Sequence, residues 1–168
     1  MPHPALLSNE HRPWPLPRRP WAVTMQWTEL AFLHWPVDPA PLRRLLPPGL
    51  ELDTRGGDAW LGVVPFRMRR TRVRWLPPLP TTSEFPELNV RTYVRCGARA
   101  GVWFFSLDAT SRLAVAGARA TFGLPYFRAD MVVEQRGGLV SYFSTRTDRR
   151  GPPARFAAGY CPGGASRT

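Results

Sequence analysis

The chain has 168 residues, 43% of them hydrophobic, which is enough apolar surface for one moderate core and predicts a single domain. All 23 basic residues are arginine, so this sequence excludes catalysis through a lysine Schiff base or a P-loop lysine. The uniform use of arginine indicates a bias of the coding sequence, and the formal net charge of +11 therefore identifies no partner by itself.

The start of the chain gives expectations about disorder and location. Residues 1–24 are rich in proline and lack periodicity, so we predict a disordered arm outside the domain, without an export signal. No apolar run reaches the roughly 20 residues of a membrane helix. Cys96 and Cys161 lie in neighbourhoods too different to indicate a disulfide framework. We therefore expect a soluble, cytoplasmic protein with no membrane partner.

A strand and a short helix are predicted next. Residues 26–35 (QWTELAFLHW) alternate partly between apolar and polar side chains and predict a strand that ends at Pro36. Asp38 is then the predicted N-cap of a helix of about two turns, with Pro39 in its first position. The sequence PPG at positions 47–49 ends this helix.

The following strand carries much of the basic charge. Residues 59–68 (AWLGVVPFRM) predict a strand that continues into 69–75, with arginines at positions 67, 69, 72 and 74. These arginines could contact phosphates as a basic ribbon, or they could lie on a solvated hairpin. The sequence argues against a nucleic-acid partner, because no helix-turn-helix, oligonucleotide-binding barrel or RNA-recognition pattern accompanies the charge.

A clean alternation marks the next strand, at residues 87–96. It places Leu88, Val90, Thr92 and Val94 on one face and a polar set on the other: Glu87, Asn89, Arg91 and Tyr93, with Arg95 beyond them. A short glycine-containing turn follows, so residues 102–108 are predicted to return as the second strand of a hairpin.

The last predicted elements are a helix and a second hairpin. Residues 109–121 predict a helix that packs Leu113, Ala116 and Ala120 against the sheet, with Asp108 as its N-cap. Residues 130–135 and 139–145, separated by RGG, predict the hairpin. Residues 147–168 lack periodicity and predict a disordered Arg/Gly/Pro tail, which leaves 25–146 as the domain.

Several segments in this order carry a family resemblance: HWPVD (34–38), LRRLLPPGLELD (42–53), AWLGVVPF (59–66), ELNVRTYV (87–94), SLDA (106–109) and GARATFGLPY (117–126). With them, residues 25–145 resemble the YqjF-like family of uncharacterised bacterial proteins, a branch of the acetoacetate-decarboxylase-like superfamily. The resemblance implies a mainly β (α+β) fold, in which an antiparallel sheet with two short helices curls into a conical barrel around a ligand pocket. Family members continue for several more strands, so the barrel is expected to be incomplete, with open edges through which copies could associate.

The resemblance also implies site residues. In the decarboxylases, the position after the proline of the last segment holds the Schiff-base lysine or its immediate neighbour, whereas this chain has Tyr126 there. A phenol cannot form an iminium, so decarboxylation by that route is excluded. Tyr126 is instead the candidate catalytic hydrogen-bond or proton donor. The candidate substrate-binding residues are Glu87, Asn89, Arg91, Tyr93 and Arg119, with Arg91 or Arg119 holding a carboxylate.

The residues leave alternatives open. Glu87 and Arg91 could form an ion pair on a solvated strand face. His34 could be a general base, although the sequence shows no partner for it. No ligand set of recognisable spacing indicates a metal, and we expect no cofactor. The predicted function is therefore to bind or transform a small carboxylate or carbonyl compound. The alternatives are a non-catalytic ligand binder, an arginine-led interaction module and a truncated fragment without activity.

Overall fold

The computed structural model describes residue 15 and residues 18–77 and 80–161, and it is dominated by β-strands. The strands are β1 (Val23–Thr28), β2 (Leu33–Val37), β3 (Glu51–Leu52), β4 (Ala59–Val73), β5 (Phe85–Cys96), β6 (Arg99–Ala109), β7 (Tyr126–Arg136), β8 (Leu139–Arg146) and β9 (Arg155–Tyr160). The helices are α1 (Pro39–Arg43), α2 (Pro80–Ser83) and α3 (Arg112–Phe122). The predicted mainly β class is confirmed.

The strands form one mixed sheet. Its order is β1-β4-β5-β6-β7-β8-β9, with β2 paired to β4 and β3 paired to β5. The pairs are antiparallel except β6 and β7, which run parallel from Leu107 opposite Tyr126 to Ala109 opposite Arg128. Helix α3 is the crossover that a parallel pair requires. The expectation of an antiparallel sheet is therefore corrected at the β6–β7 pair, and the sheet does not close into a barrel, as expected for an incomplete one.

The two faces of the sheet are covered differently. On one face, α3 places Val115 against a buried cluster from β4, β5 and β6, namely Val64, Phe66, Met68, Phe85 and Ala109. On the opposite face, β7, β8 and β9 fold back across the sheet. There, Arg67 donates to the Val133 carbonyl, and Arg146 forms a buried ion pair with Asp108. The sheet is therefore covered on both faces, and alternation places the polar set of β5 on the same face of the sheet as α3.

The first predicted strand is divided in the structure. Glu29 adopts a φ of 53° and lies in the break between β1 and β2, each of which pairs with β4. The Glu29 carboxylate is held by Arg67 at 2.7 Å and Arg69 at 3.0 Å, which stabilises this break. Pro36 does not end the strand but lies within β2, at an outer position where a missing N–H is tolerated.

The third helix begins later than predicted. Strand β6 continues to Ala109 because this residue pairs with Glu87, and Ser111 is the N-cap. Asp108 is therefore not a cap. The shift of three residues turns a different face of the helix toward the sheet, so Val115 is buried, while Leu113 is 61% exposed and Ala116 and Ala120 point outward. The predicted packing of α3 was wrong.

Both predicted hairpins, β5–β6 and β7–β8, are confirmed. Strand β9 lies inside the segment predicted as a disordered tail and pairs with β8, which corrects that prediction for residues 155–160. Asp38 caps α1 as predicted, accepting from the Ala40 N–H at 2.9 Å. The predicted disorder of residues 1–14, 16, 17 and 162–168 lies outside the described residues. Among the described helices, none is long and apolar enough to cross a membrane.

Candidate functional site

The sequence candidates Glu87 and Tyr126 lie in contact beneath α3. The Tyr126 hydroxyl is 3.2 and 3.3 Å from the two carboxylate oxygens of Glu87. These distances exceed the 2.7–2.8 Å typical of a hydroxyl hydrogen bond, so the contact is loose. Glu87 is 2% exposed. Its predicted alternative role in a solvated surface pair is therefore wrong.

The turn after α3 positions Tyr126. The helix ends at Gly123 in the left-handed conformation, with φ of 62°, which a residue without Cβ adopts at no steric cost. Pro125 then accepts the Leu107 N–H at 3.0 Å, which starts the parallel pairing of β7. Arg119 donates to the Tyr126 carbonyl at 2.8 Å. Arg119 therefore holds the backbone of Tyr126 in place.

Burial controls the charge of this pair. Desolvation raises the pKa of Glu87 to about 8. The hydrogen bond from Tyr126 lowers this pKa, but by less than desolvation raises it. In the described part of the chain, no arginine lies within ion-pairing distance of Glu87. Desolvation and the neighbouring carboxylate raise the pKa of Tyr126 as well. Burial therefore favours the neutral forms of both side chains.

A second tyrosine supports Glu87 from the opposite face. Tyr142 of β8 is fully buried, and its hydroxyl donates to the Glu87 carbonyl at 2.8 Å. The sequence alone does not identify this residue, because its partner lies 55 positions away and the alternation of β8 marks Tyr142 only as an inward side chain. Its buried hydroxyl needs a partner, and the carbonyl of Glu87 supplies one.

Two further candidates continue along β5 with unpaired polar atoms. Asn89 is 1% exposed, and in the described part of the structure its Oδ1 has no hydrogen-bond partner. The same holds for the buried Nε of Arg91 and for Nε1 of Trp60 on the adjacent strand. Strand alternation places these three side chains on the face that carries Glu87. Buried polar atoms without partners are uncommon in folded proteins and mark this face as a candidate binding surface.

His34 has the partner that the sequence did not reveal. Its Nε2 and the Tyr93 hydroxyl are 2.6 Å apart and form a hydrogen bond. The His34 ring also stacks between Phe32 and Tyr93, at centroid distances of 6.2 and 5.7 Å. A cavity of about 390 Å³ opens here, lined by His34, Asp53, Thr54, Arg55, Trp60 and Tyr93. The polar face of β5 thus runs from the buried Glu87 to an open cavity at Tyr93.

Gly62 has no Cβ, and the side chains of His34 and Arg91 occupy the space that a Cβ would need. A Cβ at this position would lie 3.1 Å from His34 Nε2 and 3.3 Å from Arg91 Cγ. We expect Gly62→Ala to destabilise the protein by about 1–3 kcal/mol through overpacking and to break the His34–Tyr93 hydrogen bond. Thermal unfolding, together with the His34 ring signals in an NMR spectrum, measures both effects.

Gly101 is the matched control, because a Cβ there would meet only Val94, at 4.0 Å. Gly101→Ala should leave the His34 signals in place and change stability far less. Equal effects of the two substitutions would show that the His34 and Arg91 side chains do not depend on the space at Gly62.

The remaining arginine candidates are engaged elsewhere. Arg67 and Arg69 bind Glu29, while the guanidinium groups of Arg72 and Arg74 each lie 5.3 Å from the centroid of the Trp21 ring. The two cysteines are free and exposed. Among the described residues, no group of three or more histidine, cysteine, aspartate or glutamate side chains is arranged to hold a metal ion.

Comparison with known sequences identifies relatives of this chain. Residues 24–168 match the family DUF2071, described as an uncharacterized conserved protein. The chain is also 48% identical over 142 residues to the uncharacterized protein YqjF of Bacillus subtilis (strain 168). That alignment covers 84% of this chain and 58% of YqjF, so the chain spans less than two thirds of the relative.

Solved structures share the fold at lower identity. Acetoacetate decarboxylase from Legionella pneumophila superposes with a TM-score of 0.58 and 16% identity, covering 89% of this chain and 60% of that enzyme. The enduracididine biosynthesis enzyme MppR, solved with pyruvate, gives a TM-score of 0.57 and 17% identity, covering 75% of this chain and 52% of that enzyme. At such identities the similarity establishes an acetoacetate-decarboxylase-like fold.

Proposed function

This chain belongs to the DUF2071 family, and we propose that it binds and transforms a small carboxylate or carbonyl compound by acid–base chemistry without a Schiff-base lysine. One observation carries the proposal: the buried carboxyl group of Glu87 lies 3.2 Å from the hydroxyl of Tyr126. Perturbed titratable groups concentrate at functional sites, because burying them costs stability that a purely structural role does not require.

The proposed reaction uses two neutral hydroxyl groups as hydrogen-bond donors. When a C–H bond next to a carbonyl breaks, its proton passes to water or buffer and its electron pair moves to the carbonyl oxygen. Tyr126 and protonated Glu87 can both donate to that oxygen and stabilise the enolate. A carboxylic acid kept neutral by an apolar site is an effective donor of this kind. Because the contact between the two groups is longer than a typical hydroxyl hydrogen bond, a ligand oxygen that accepts from both would replace a weak interaction.

The fold similarity supports the ligand class. The neighbouring structures include an acetoacetate decarboxylase and an enzyme complexed with pyruvate, and both names refer to small oxo acids. The chemistry at the site must differ from an iminium route, because this chain offers Tyr126 and no lysine. Enolisation of a small oxo acid is the reaction that these residues support.

Deuterium exchange tests this proposal directly. Pyruvate or levulinate is incubated with the protein in D₂O, and loss of the α-proton signals is followed by NMR. We expect the protein to accelerate exchange, and Tyr126→Phe and Glu87→Gln each to reduce that acceleration about 100-fold or more, as for loss of an oxyanion donor. The acceleration should also fall as the pH rises through about 8, because only protonated Glu87 donates.

Tyr160→Phe is the matched control. Its hydroxyl donates to the Glu29 carbonyl, away from Glu87, so this variant should exchange like the wild type. If the wild type binds an oxo acid without accelerating exchange, the protein is a non-catalytic binder and the proposed reaction is wrong. If both site variants exchange at the wild-type rate, Glu87 and Tyr126 take no part in the chemistry.

A further inference from the structure

Arg91 is a partly buried cation without a counterion. It lies on the face of β5 that carries Glu87, and in the described residues no carboxylate is within 4.0 Å of its guanidinium. Its Nε is buried and has no hydrogen-bond partner there. Burying a charged group without a paired opposite charge is costly, so the arrangement calls for an anion.

The groups around Arg91 hold its side chain without neutralising it. Its guanidinium lies 5.3 Å from the Phe32 ring centroid and 5.9 Å from that of Tyr93. Its Cγ runs past Gly62, beside His34. Aromatic faces attract a guanidinium and limit its motion, but they leave its in-plane N–H groups free to donate.

Other arginines of this region have partners. Arg95, four residues further along the same face, is 3.7 Å from the Asp53 carboxylate. Arg119, the alternative carboxylate clamp, donates to the Tyr126 carbonyl and lies 6.0 Å from the Phe127 ring centroid. Arg91 is therefore better placed than Arg119 to take a carboxylate from a ligand.

We propose that Arg91 binds the carboxylate of an oxo acid whose carbonyl is held by Glu87 and Tyr126, an assignment that rests on the function proposed above. The Cα atoms of residues four apart on a strand are separated by about 13 Å, and the two side chains shorten this gap from both ends. Asn89 lies between Glu87 and Arg91 on the same face of β5, and the open cavity lined by His34 and Tyr93 lies beyond Arg91.

Paired probes separate the carboxylate from the carbonyl. Isothermal titration calorimetry is performed with pyruvate, levulinate and their methyl esters, which keep the ketone and lose the charge. The wild type should bind the acids more tightly than the esters. Arg91→Met should weaken acid binding about 10- to 100-fold and leave ester binding unchanged, as expected for loss of a charge-assisted hydrogen bond.

Two further variants make the result specific. Arg95→Met removes a neighbouring arginine that is already paired, and it should bind both probe types like the wild type. Arg91→Lys keeps the charge and should retain part of the preference for acids. If Arg91→Met does not fold, as judged by circular dichroism, Arg91→Lys and Arg91→Gln are compared instead. Only the lysine variant should then bind acids more tightly than esters.

The outcomes distinguish the two proposals. If the wild type binds acid and ester equally, or if Arg91→Met weakens both alike, Arg91 is not the carboxylate anchor, while enolisation can still be measured by deuterium exchange. If acids bind through Arg91 but no exchange occurs, the anchor stands and the proposed reaction is wrong. If the wild type binds none of the four probes, both proposals are wrong.

Discussion

Glu87→Gln should make the protein more stable at alkaline pH while removing its activity. The pKa of Glu87 is raised from 4.5 to about 8 by desolvation, so the folded state holds a proton that the unfolded state releases between these values. The contribution of Glu87 to stability is therefore greatest below pH 4.5 and falls as the pH rises through about 8, by up to about 5 kcal/mol. Glutamine keeps an oxygen for Tyr126 and never ionises, so we expect a gain of about 2–4 kcal/mol at pH 9.

Urea unfolding at pH 5, 7 and 9 measures this gain, which should be small at pH 5 and largest at pH 9. Glu84→Gln is the control, because the Glu84 side chain is 49% exposed and its neutralisation should leave the pH dependence unchanged. Parallel stability curves for the wild type and Glu87→Gln would contradict a raised pKa. A buried acid whose removal stabilises the fold is retained for a reason other than stability.

Breaking the Asp108–Arg146 pair should produce the largest loss of stability. Both side chains are buried, at 4% and 6% exposure, with Arg146 Nη2 2.7 Å from the Asp108 carboxylate. Asp108→Asn leaves a buried guanidinium without its counterion and should cost about 3–5 kcal/mol. Arg146→Met should cost less at acidic pH, because burial raises the pKa of Asp108, and the abandoned carboxyl can then take up a proton.

Chemical denaturation of these variants, of a double variant and of a control tests this pair. The double variant Asp108→Leu with Arg146→Met should recover much of the loss, because apolar side chains carry no desolvation penalty for charge. Glu134→Gln breaks an exposed pair with Arg136, in which the side chains are 54% and 86% exposed, and should change stability by about 1 kcal/mol or less. Equal losses of unfolding free energy for Asp108→Asn and Glu134→Gln would mean that the buried pair stabilises the fold no more than an exposed pair does.

Local patterns predicted the parts of the fold that depend on neighbours in sequence. The alternation of β5 and the glycine turns of both hairpins are short-range signals, and these elements were confirmed. The break at Glu29 was not predictable in this way, because the groups that hold its carboxylate are 38 and 40 residues distant. The same holds for Asp108, which looked like a helix cap and proved to be the partner of Arg146, 38 residues later.

The candidate site likewise combines residues that the sequence predicted with contacts that it could not predict. The family resemblance indicated Glu87 and Tyr126, and the structure brings them into contact across 39 residues. Arg119 contacts the backbone of Tyr126, whereas Arg91 is directed toward Phe32 and Tyr93. Neither arrangement follows from strand or helix periodicity, because each depends on where a long side chain turns after leaving the backbone.

Gly62 has a consequence for how related sequences vary. Since a Cβ at this position would lie 3.1 Å from His34 Nε2 and 3.3 Å from Arg91 Cγ, the three positions share one small volume. A relative that keeps histidine and arginine at the two outer positions should keep glycine between them, whereas a relative with small residues there is free to carry a larger residue at position 62. Correlated substitution at these three positions across an alignment would then separate relatives that keep the Arg91 site from those that have lost it.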